Sequence, residues 1–313
     1  MPQSSPGGLS SAEQHRSKTA NSDNRCPWAA EYDEQGQRCG ITRLENKVAI
    51  VTGAGTRSKN VSGVGVAAAS AFAENGAKVL IVDMDEAAAK TTEQAIADAG
   101  GEASIYVTDV TGESGCRGIV ETAIERYGKL DILMNSVGII GRGSVMEIEE
   151  ESWQRVLDVN LKSMAFISKY AVPAMIESGG GSIINISSVD GIRAGMSHSI
   201  TYAASKGGVI AMTRAMAVHH GRDKIRVNCI APGMIYTSMV EAVNEKRREL
   251  RRKIAPLGTE GTAEDVAMAA VFLASDESRW ITGVLLPVDA GLMAAGPQSI
   301  LSNIIDDDGT LLE

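Results

Sequence analysis

The stretch TGAGTRSKNVSGVG, Thr52–Gly65, decides how the chain is read. It follows the apolar run KVAIV and leads into the alanine-rich segment VAAASAFAENG, so it joins a strand to a helix. Gly63 and Gly65 open that helix, where small residues let backbone amides and the positive helix end approach an anion. The next strand, AKVLIVD, ends in Asp83, 20 residues beyond Gly63, the spacing at which a carboxylate meets the ribose hydroxyls of a dinucleotide. A glycine loop alone is equally an ordinary turn. Strand, loop, helix and acid together point to a dinucleotide site at Gly53, Gly63, Gly65 and Asp83. A carboxylate there repels a 2′-phosphate, so NAD is expected in preference to NADP.

From Lys47 onwards, short β-branched runs alternate with longer helical ones. Strands are expected at KVAIVT, AKVLIVD, EASIYVTDV, LDILMNS, GSIINISS, IRVNCIAP and VLLPVDAG. Between them the pattern predicts helices, among them one near 115–127, a long one over about 151–177 interrupted near Pro173, one over 200–220 and a polar one near 240–253. Strands spaced by helices in this way form right-handed crossovers and a parallel sheet covered on both faces. The expected fold is therefore α/β, a single Rossmann-type doubly wound sheet. It is placed at residues 45–292, with a substrate lid at about 236–256, a flexible N-terminal arm at 1–44 and a C-terminal tail at 293–313.

The 313 residues, 44% hydrophobic, suffice for one large core. A net charge of −9 and a pI near 5.1 argue against nucleic acid or an anionic membrane as partner. No apolar run approaches the roughly 18–20 residues that span a bilayer, and the first 20 residues lack an apolar signal core, so a cytoplasmic protein is expected. Cys26, Cys39, Cys116 and Cys229 read as free thiols, and with His15, His198, His219 and His220 they show no metal-ligand spacing, so no metal is expected.

In SITYAASKGG, Tyr202 and Lys206 stand four residues apart, so one helix face presents a phenol and an ammonium. A nearby cation favours the ionised phenol; lowering its pKa by about 3 units takes roughly 4 kcal/mol, which Lys206 and an oxidised nicotinamide would share. Tyr202 would then take a proton from an alcohol while hydride leaves the carbinol carbon. Ser188 follows the strand GSIINIS, where a hydroxyl can hold the substrate oxygen, although Ser187 and Ser188 equally end a strand. Asn160 is an amide within the long helix, a position that weakens a helix unless the amide has a partner.

These residues, with TG followed by GVG, DVT at Asp109–Thr111, NSVG at Asn135–Gly138, ISS, YAASK, RVNCIAPGMIYT, ITG and VDAG, occur in order at the expected strand ends. From about Leu44 to Gly291 the chain resembles the short-chain dehydrogenase/reductase family. The resemblance implies a catalytic tetrad of Asn160, Ser188, Tyr202 and Lys206, with Tyr202 as acid/base, Ser188 orienting the substrate, Lys206 also binding the nicotinamide ribose and Asn160 holding a relay water. It implies that Asp109 meets the adenine, with Val110 beside it, that Asn135 serves the adenosine side, and that Ile235 and Thr237 contact the nicotinamide amide. A homo-oligomer, dimer or tetramer, is implied as well.

The chain departs from the family pattern in places. The spacing TGxxxGxG separates the first two glycines by four positions; Gly53 and Gly63 are ten apart, so the loop is about six residues longer, which loop-closure entropy tolerates if the extra residues bulge away from the phosphates. Arg57 and Lys59 lie in that bulge, either as solvated charges, the simpler reading, or within reach of a phosphate such as that of NADP. Met196 and His198 fall near the expected substrate, and the basic run EKRRELRRK in the lid either faces solvent or meets an anionic substrate. The expected function is NAD-dependent interconversion of a small secondary alcohol and its ketone. A sugar-nucleotide epimerase or dehydratase shares the Tyr/Lys pair but usually carries a larger C-terminal domain, and a non-catalytic dinucleotide-binding regulator would tend to lose the tyrosine.

Overall fold

The computed structural model describes residues 42–195 and 198–305. Seven parallel strands, β1 (Val48–Thr52), β2 (Lys78–Asp83), β3 (Glu102–Val107), β4 (Ile132–Asn135), β5 (Gly181–Ile186), β6 (Ile225–Pro232) and β9 (Leu285–Val288), lie in the order β3-β2-β1-β4-β5-β6-β9. A separate two-stranded parallel ribbon joins β7 (Ile235–Tyr236) to β8 (Gly261–Thr262). The strand order reverses between β1 and β4, and an open sheet of this kind forms its ligand crevice beyond the carboxyl ends at such a switch point.

Alternation along the strands feeds two apolar layers. Ala49, Val51, Val79, Ile81, Ile132 and Met134 point to one face, where α1 (Val64–Glu74), α2 (Glu86–Asp98) and α8 (Ala263–Ala274) cover them. Ile50, Leu80, Val82, Leu133, Ile183 and Val227 point to the other, against α3 (Glu113–Tyr127) and α5 (Ser163–Glu177). Every β1 residue is buried, which is why the central strands read as unbroken apolar runs rather than an alternating pattern. The long α6 (Ile200–His220) completes that second layer, its first turn capped by Ser199, whose hydroxyl accepts from the Tyr202 N–H at 3.2 Å.

Three expectations are corrected. The long helix is not interrupted at Pro173, which sits inside α5; α4 (Glu150–Leu157) passes into α5 through a π-turn at Asp158–Lys162, where Asn160 turns wholly inward. The polar helix α7 begins later than expected, at Glu245–Ile254, because Asn244 caps it by accepting from the Arg247 N–H at 3.0 Å. The folded unit also takes in Thr42–Leu44, which the sequence pattern left in the arm: Leu44 is fully buried, and Arg43 pairs with Glu277. The rest of the expected arm and the end of the tail lie outside the described residues; Pro297–Asn303 is a 3-10 turn. No helix among the described residues is long and apolar enough to cross a membrane.

Candidate active site

A cleft of about 990 Å³ opens at the carboxyl ends of the strands and is lined at one end by Gly53, Gly63, Gly65, Asp83, Asp109 and Val110. Ser188, Tyr202, Lys206, Ile235 and Thr237 line its other end.

The lengthened loop keeps its cradle. Helix α1 starts at Val64, and its N-cap, Gly63, offers no side-chain acceptor to the first amides, which leaves them for an anion. A Cβ at Gly65 would run into the Gly53 carbonyl oxygen, so only glycine lets helix and loop meet here. The extra residues fold over α2: the Thr56 N–H donates to Ala88 O at 3.0 Å, and the Ser58 hydroxyl accepts from the N–H groups of Asn60 and Val61. Such a cradle, uncapped and closed by a buried carboxylate, fits the pyrophosphate and ribose of a dinucleotide.

Asp83 is held on several sides. Its carboxylate accepts from the N–H groups of Gly55 (2.9 Å) and Asp85 (3.0 Å) and from the Arg57 guanidinium. The reading of Arg57 as a plain solvated charge is therefore corrected: its side chain is 48% exposed, but its head closes on a carboxylate that is 2% exposed. Asp109 accepts from the Thr111 N–H at 2.9 Å, and that bond, with Arg155 nearby, holds its carboxyl below the usual range.

At the other end, the turn after β5 interlocks with α6. A Cβ on Gly191 would lie 2.6 Å from the Lys206 carbonyl carbon, and Ser187 donates to Lys206 O at 2.8 Å. This close approach brings Ser188 to Tyr202. The phenol is pushed up to about 12, first by burial, with a Ser188 hydrogen bond acting against the shift and Asp190 adding to it. Burial pushes Lys206 down to about 8. Its ammonium, 5.7 Å from the Tyr202 ring centroid, donates to Ile186 O at 2.8 Å. In the protein without cofactor, burial therefore sets the phenol's shift, and the expected joint easing by Lys206 and an oxidised nicotinamide has to work against it.

Asn160 and Asn135 do not line the cleft. Asn160 Nδ2 donates to Ile139 O (2.9 Å) and Ser205 Oγ (3.0 Å), and its Oδ1 accepts from the Ile139 N–H (2.8 Å), so the amide clamps the cleft wall at Ile139 and Ile140. Asn135 lies beneath the cleft and donates to Asn185 Oδ1 at 2.9 Å. His198 is exposed, and its carbonyl accepts from the Gly143 N–H; Met196 lies outside the described residues. Among the described residues no cluster of three or more His, Cys, Asp or Glu side chains is placed to hold a metal. Arg155 and Arg193 line the cleft as well, and neither had a sequence signal, since Arg155 lies on a helix read only for its periodicity and Arg193 in the aperiodic segment after Ser188.

Residues 58–293 match the family model described as enoyl-(acyl carrier protein) reductase. The chain is 39% identical over 251 residues to a 3-oxoacyl-(acyl carrier protein) reductase of Thermotoga maritima, covering 80% of this chain and 99% of the relative. It is likewise 39% identical over 249 residues to 2,5-dichloro-2,5-cyclohexadiene-1,4-diol dehydrogenase of Sphingobium indicum, covering 80% and 97%. A crystal structure from Burkholderia xenovorans, described as a short-chain dehydrogenase/reductase, superposes with a TM-score of 0.78 at 39% identity, covering 81% of this chain and 99% of that one. With its seven-stranded parallel sheet and these relatives, the chain belongs to the short-chain dehydrogenase/reductase family of NAD(P)-dependent oxidoreductases.

Proposed function

We propose that the protein interconverts a secondary alcohol and its ketone, using NAD in preference to NADP, with Tyr202 as general acid/base. The observation that carries the reading is the meeting of Ser188, Tyr202 and Lys206 at one end of a cleft whose other end holds the glycine cradle and Asp83. Gly53, Gly63 and Gly65 would hold the pyrophosphate, Asp83 the adenosine ribose, and Asp109 with Val110 the adenine. Ile235 and Thr237 would face the nicotinamide amide. When bound, the nicotinamide takes up or returns the hydride, and its oxidised ring adds a positive charge beside the phenol.

Ser188 would hold the substrate oxygen while Tyr202 Oη takes its proton; in reduction Tyr202 returns it. Bringing a phenol from about 12 to near neutrality takes about 7 kcal/mol. The buried ammonium of Lys206 would supply part of it, since low dielectric strengthens attraction as well as penalty. Asn160 would act through Ile139, as a positioning residue.

Two relatives are named for different carbon skeletons, one a 3-oxoacyl group on a carrier protein and the other a cyclic diol; a hydroxyl or keto carbon is what the names share. The substrate is accordingly proposed as a class, a small-molecule alcohol or ketone. The exposed apolar side chains of Val218, Met268 and Trp280 support a homo-oligomer, dimer or tetramer, and the acidic composition supports a cytoplasmic location. The test is NADH formation, followed by its absorbance, with a panel of secondary alcohols, and its reverse with ketones. Activity with none of them, although NADH binds, would sink the reading.

A further inference from the structure

Helix α7 carries four arginines and two lysines in ten residues, and three of the arginines turn toward one buried carboxylate, Glu260. The Glu260 side chain is 4% exposed. Arg248 Nε donates to its Oε2 at 2.8 Å, Arg251 Nε lies 3.1 Å from its Oε1, and Arg252 Nη1 is 4.0 Å from Oε2. A carboxylate taken out of water is tolerated only when paired in this manner. Glu249 and Glu245 bind Arg252 on the outer face and Glu245 also reaches Arg248 at 3.3 Å, so Arg251 is the arginine whose one carboxylate partner among the described ion pairs is Glu260.

Arg251 and Arg248 also grip β7. Arg251 Nη2 donates to Ile235 O at 2.8 Å, and the Arg248 guanidinium stacks 3.7 Å from the centroid of the Tyr236 ring. Glu260 immediately precedes β8, whose Gly261 and Thr262 pair with Ile235 and Tyr236. Lid helix, ribbon and carboxylate thus form one pinned unit, and Ile235, Thr237 and Arg251 face the cleft from it.

We infer that Glu260 is a positioning residue for the nicotinamide end of the cleft, acting through Arg251 and Arg248 on the backbone of Ile235. The inference rests on the reading of this cleft as a dinucleotide site with Ile235 and Thr237 at the nicotinamide. Removing the charge leaves the largely buried Arg251 without its carboxylate and beside the Arg248 cation, and the Arg251 bond to Ile235 O goes with it. The adenosine end, built from β1, β2 and the glycine loop, has no part in this unit.

The test compares two ligands that differ only at that end. The full chain and Glu260→Gln are titrated calorimetrically with NADH and with ADP-ribose, which keeps the adenosine and pyrophosphate but lacks nicotinamide. The NADH Kd is expected to rise about tenfold or more in the variant, while the ADP-ribose Kd stays within about twofold. Unchanged NADH affinity, or equal weakening of both ligands, overturns the inference. If Glu260→Gln does not fold, Arg251→Lys keeps a cation for Glu260 but loses the fork that also reaches Ile235 O, and the same selective loss is expected; its absence overturns the inference. Failure of the unmodified chain to bind either ligand would instead remove the dinucleotide reading itself, and the inference with it.

Discussion

The guanidinium of Arg57, carried by the lengthened part of the glycine loop, closes on the carboxylate of Asp83 at the end of β2. Asp83 by itself repels the 2′-phosphate of NADP; an adjacent cation offsets that repulsion and is itself a phosphate ligand. Removal of either partner should therefore move cofactor choice in opposite directions. Arg57→Ala is expected to lower the NADP/NAD ratio of kcat/KM about tenfold, and Asp83→Ala to raise it by a similar factor, on about 1.4 kcal/mol for each charge contact. Steady-state rates with both cofactors check this. An unchanged ratio in Asp83→Ala would show that the acid does not read the ribose.

Tyr202→Phe removes the only proposed proton acceptor and keeps the ring. Turnover is expected to fall by about 10²–10⁴-fold, the usual share of a positioned acid/base, with NADH affinity within about threefold of the unmodified protein. Stopped-assay turnover and fluorescence titration of NADH separate the two. Parallel loss of both would make the residue structural.

Lys206 makes stability depend on pH. Burial pushes its ammonium down to about 8, whereas in the unfolded chain it keeps its proton to its ordinary 10.5. Between those values the unfolded state binds more protons, so stability rises with pH by about 1.4 kcal/mol per unit. Tyr202 has the opposite sign: unfolded, it loses its proton near 10, but folded only near 12, so its contribution falls above pH 10. Urea denaturation of the cofactor-free protein and of Lys206→Met is expected to show the unmodified chain gaining about 2 kcal/mol on the variant between pH 8 and 9.5. A difference that is flat with pH would mean that the ammonium is not desolvated.

Gly65→Ala places a methyl group against the Gly53 carbonyl oxygen. Backbone on both sides leaves nothing flexible to yield, so α1 must move off the loop at a cost of about 1–3 kcal/mol. Thermal melting should report that loss, and NADH affinity should fall with it because the displaced amides are those of the cradle. A variant with undiminished NADH binding would place the pyrophosphate elsewhere.

The architecture was legible because each central strand is a short apolar run and the segments between them carry helical patterns, α1 and α2 being rich in alanine. Asp83 was legible from its spacing to Gly63, and Tyr202 and Lys206 from their helical repeat. Three features were not. The turn of Asn160 into the protein breaks α-helical geometry for partners on a loop 21 residues earlier, Ile139 above all. Arg57 finds Asp83 from within an aperiodic insertion, where sequence shows only charge. Asn135 occupies a strand end in the motif, but its Nδ2 donates to Asn185 on the neighbouring strand and its side chain does not line the cleft. In each case a contact between segments distant along the chain, and not a local pattern, decides where the side chain points.

Asn160 offers the sharpest separation of stability from chemistry. Fully buried, it satisfies both backbone groups of Ile139 and the hydroxyl of Ser205. Asn160→Ala leaves the part-buried N–H and carbonyl of Ile139 without their side-chain partner, so a loss of about 1–3 kcal/mol is expected. The wall at Ile139 and Ile140 should also loosen, raising KM for the alcohol more than it lowers kcat, because these residues line the cleft without belonging to the proton path. Asn160→Asp retains the acceptor for the Ile139 N–H but has no donor for Ile139 O, and should fall between the two in urea midpoint and in KM. An alanine variant whose kcat collapses at unchanged KM would instead place Asn160 in proton transfer itself.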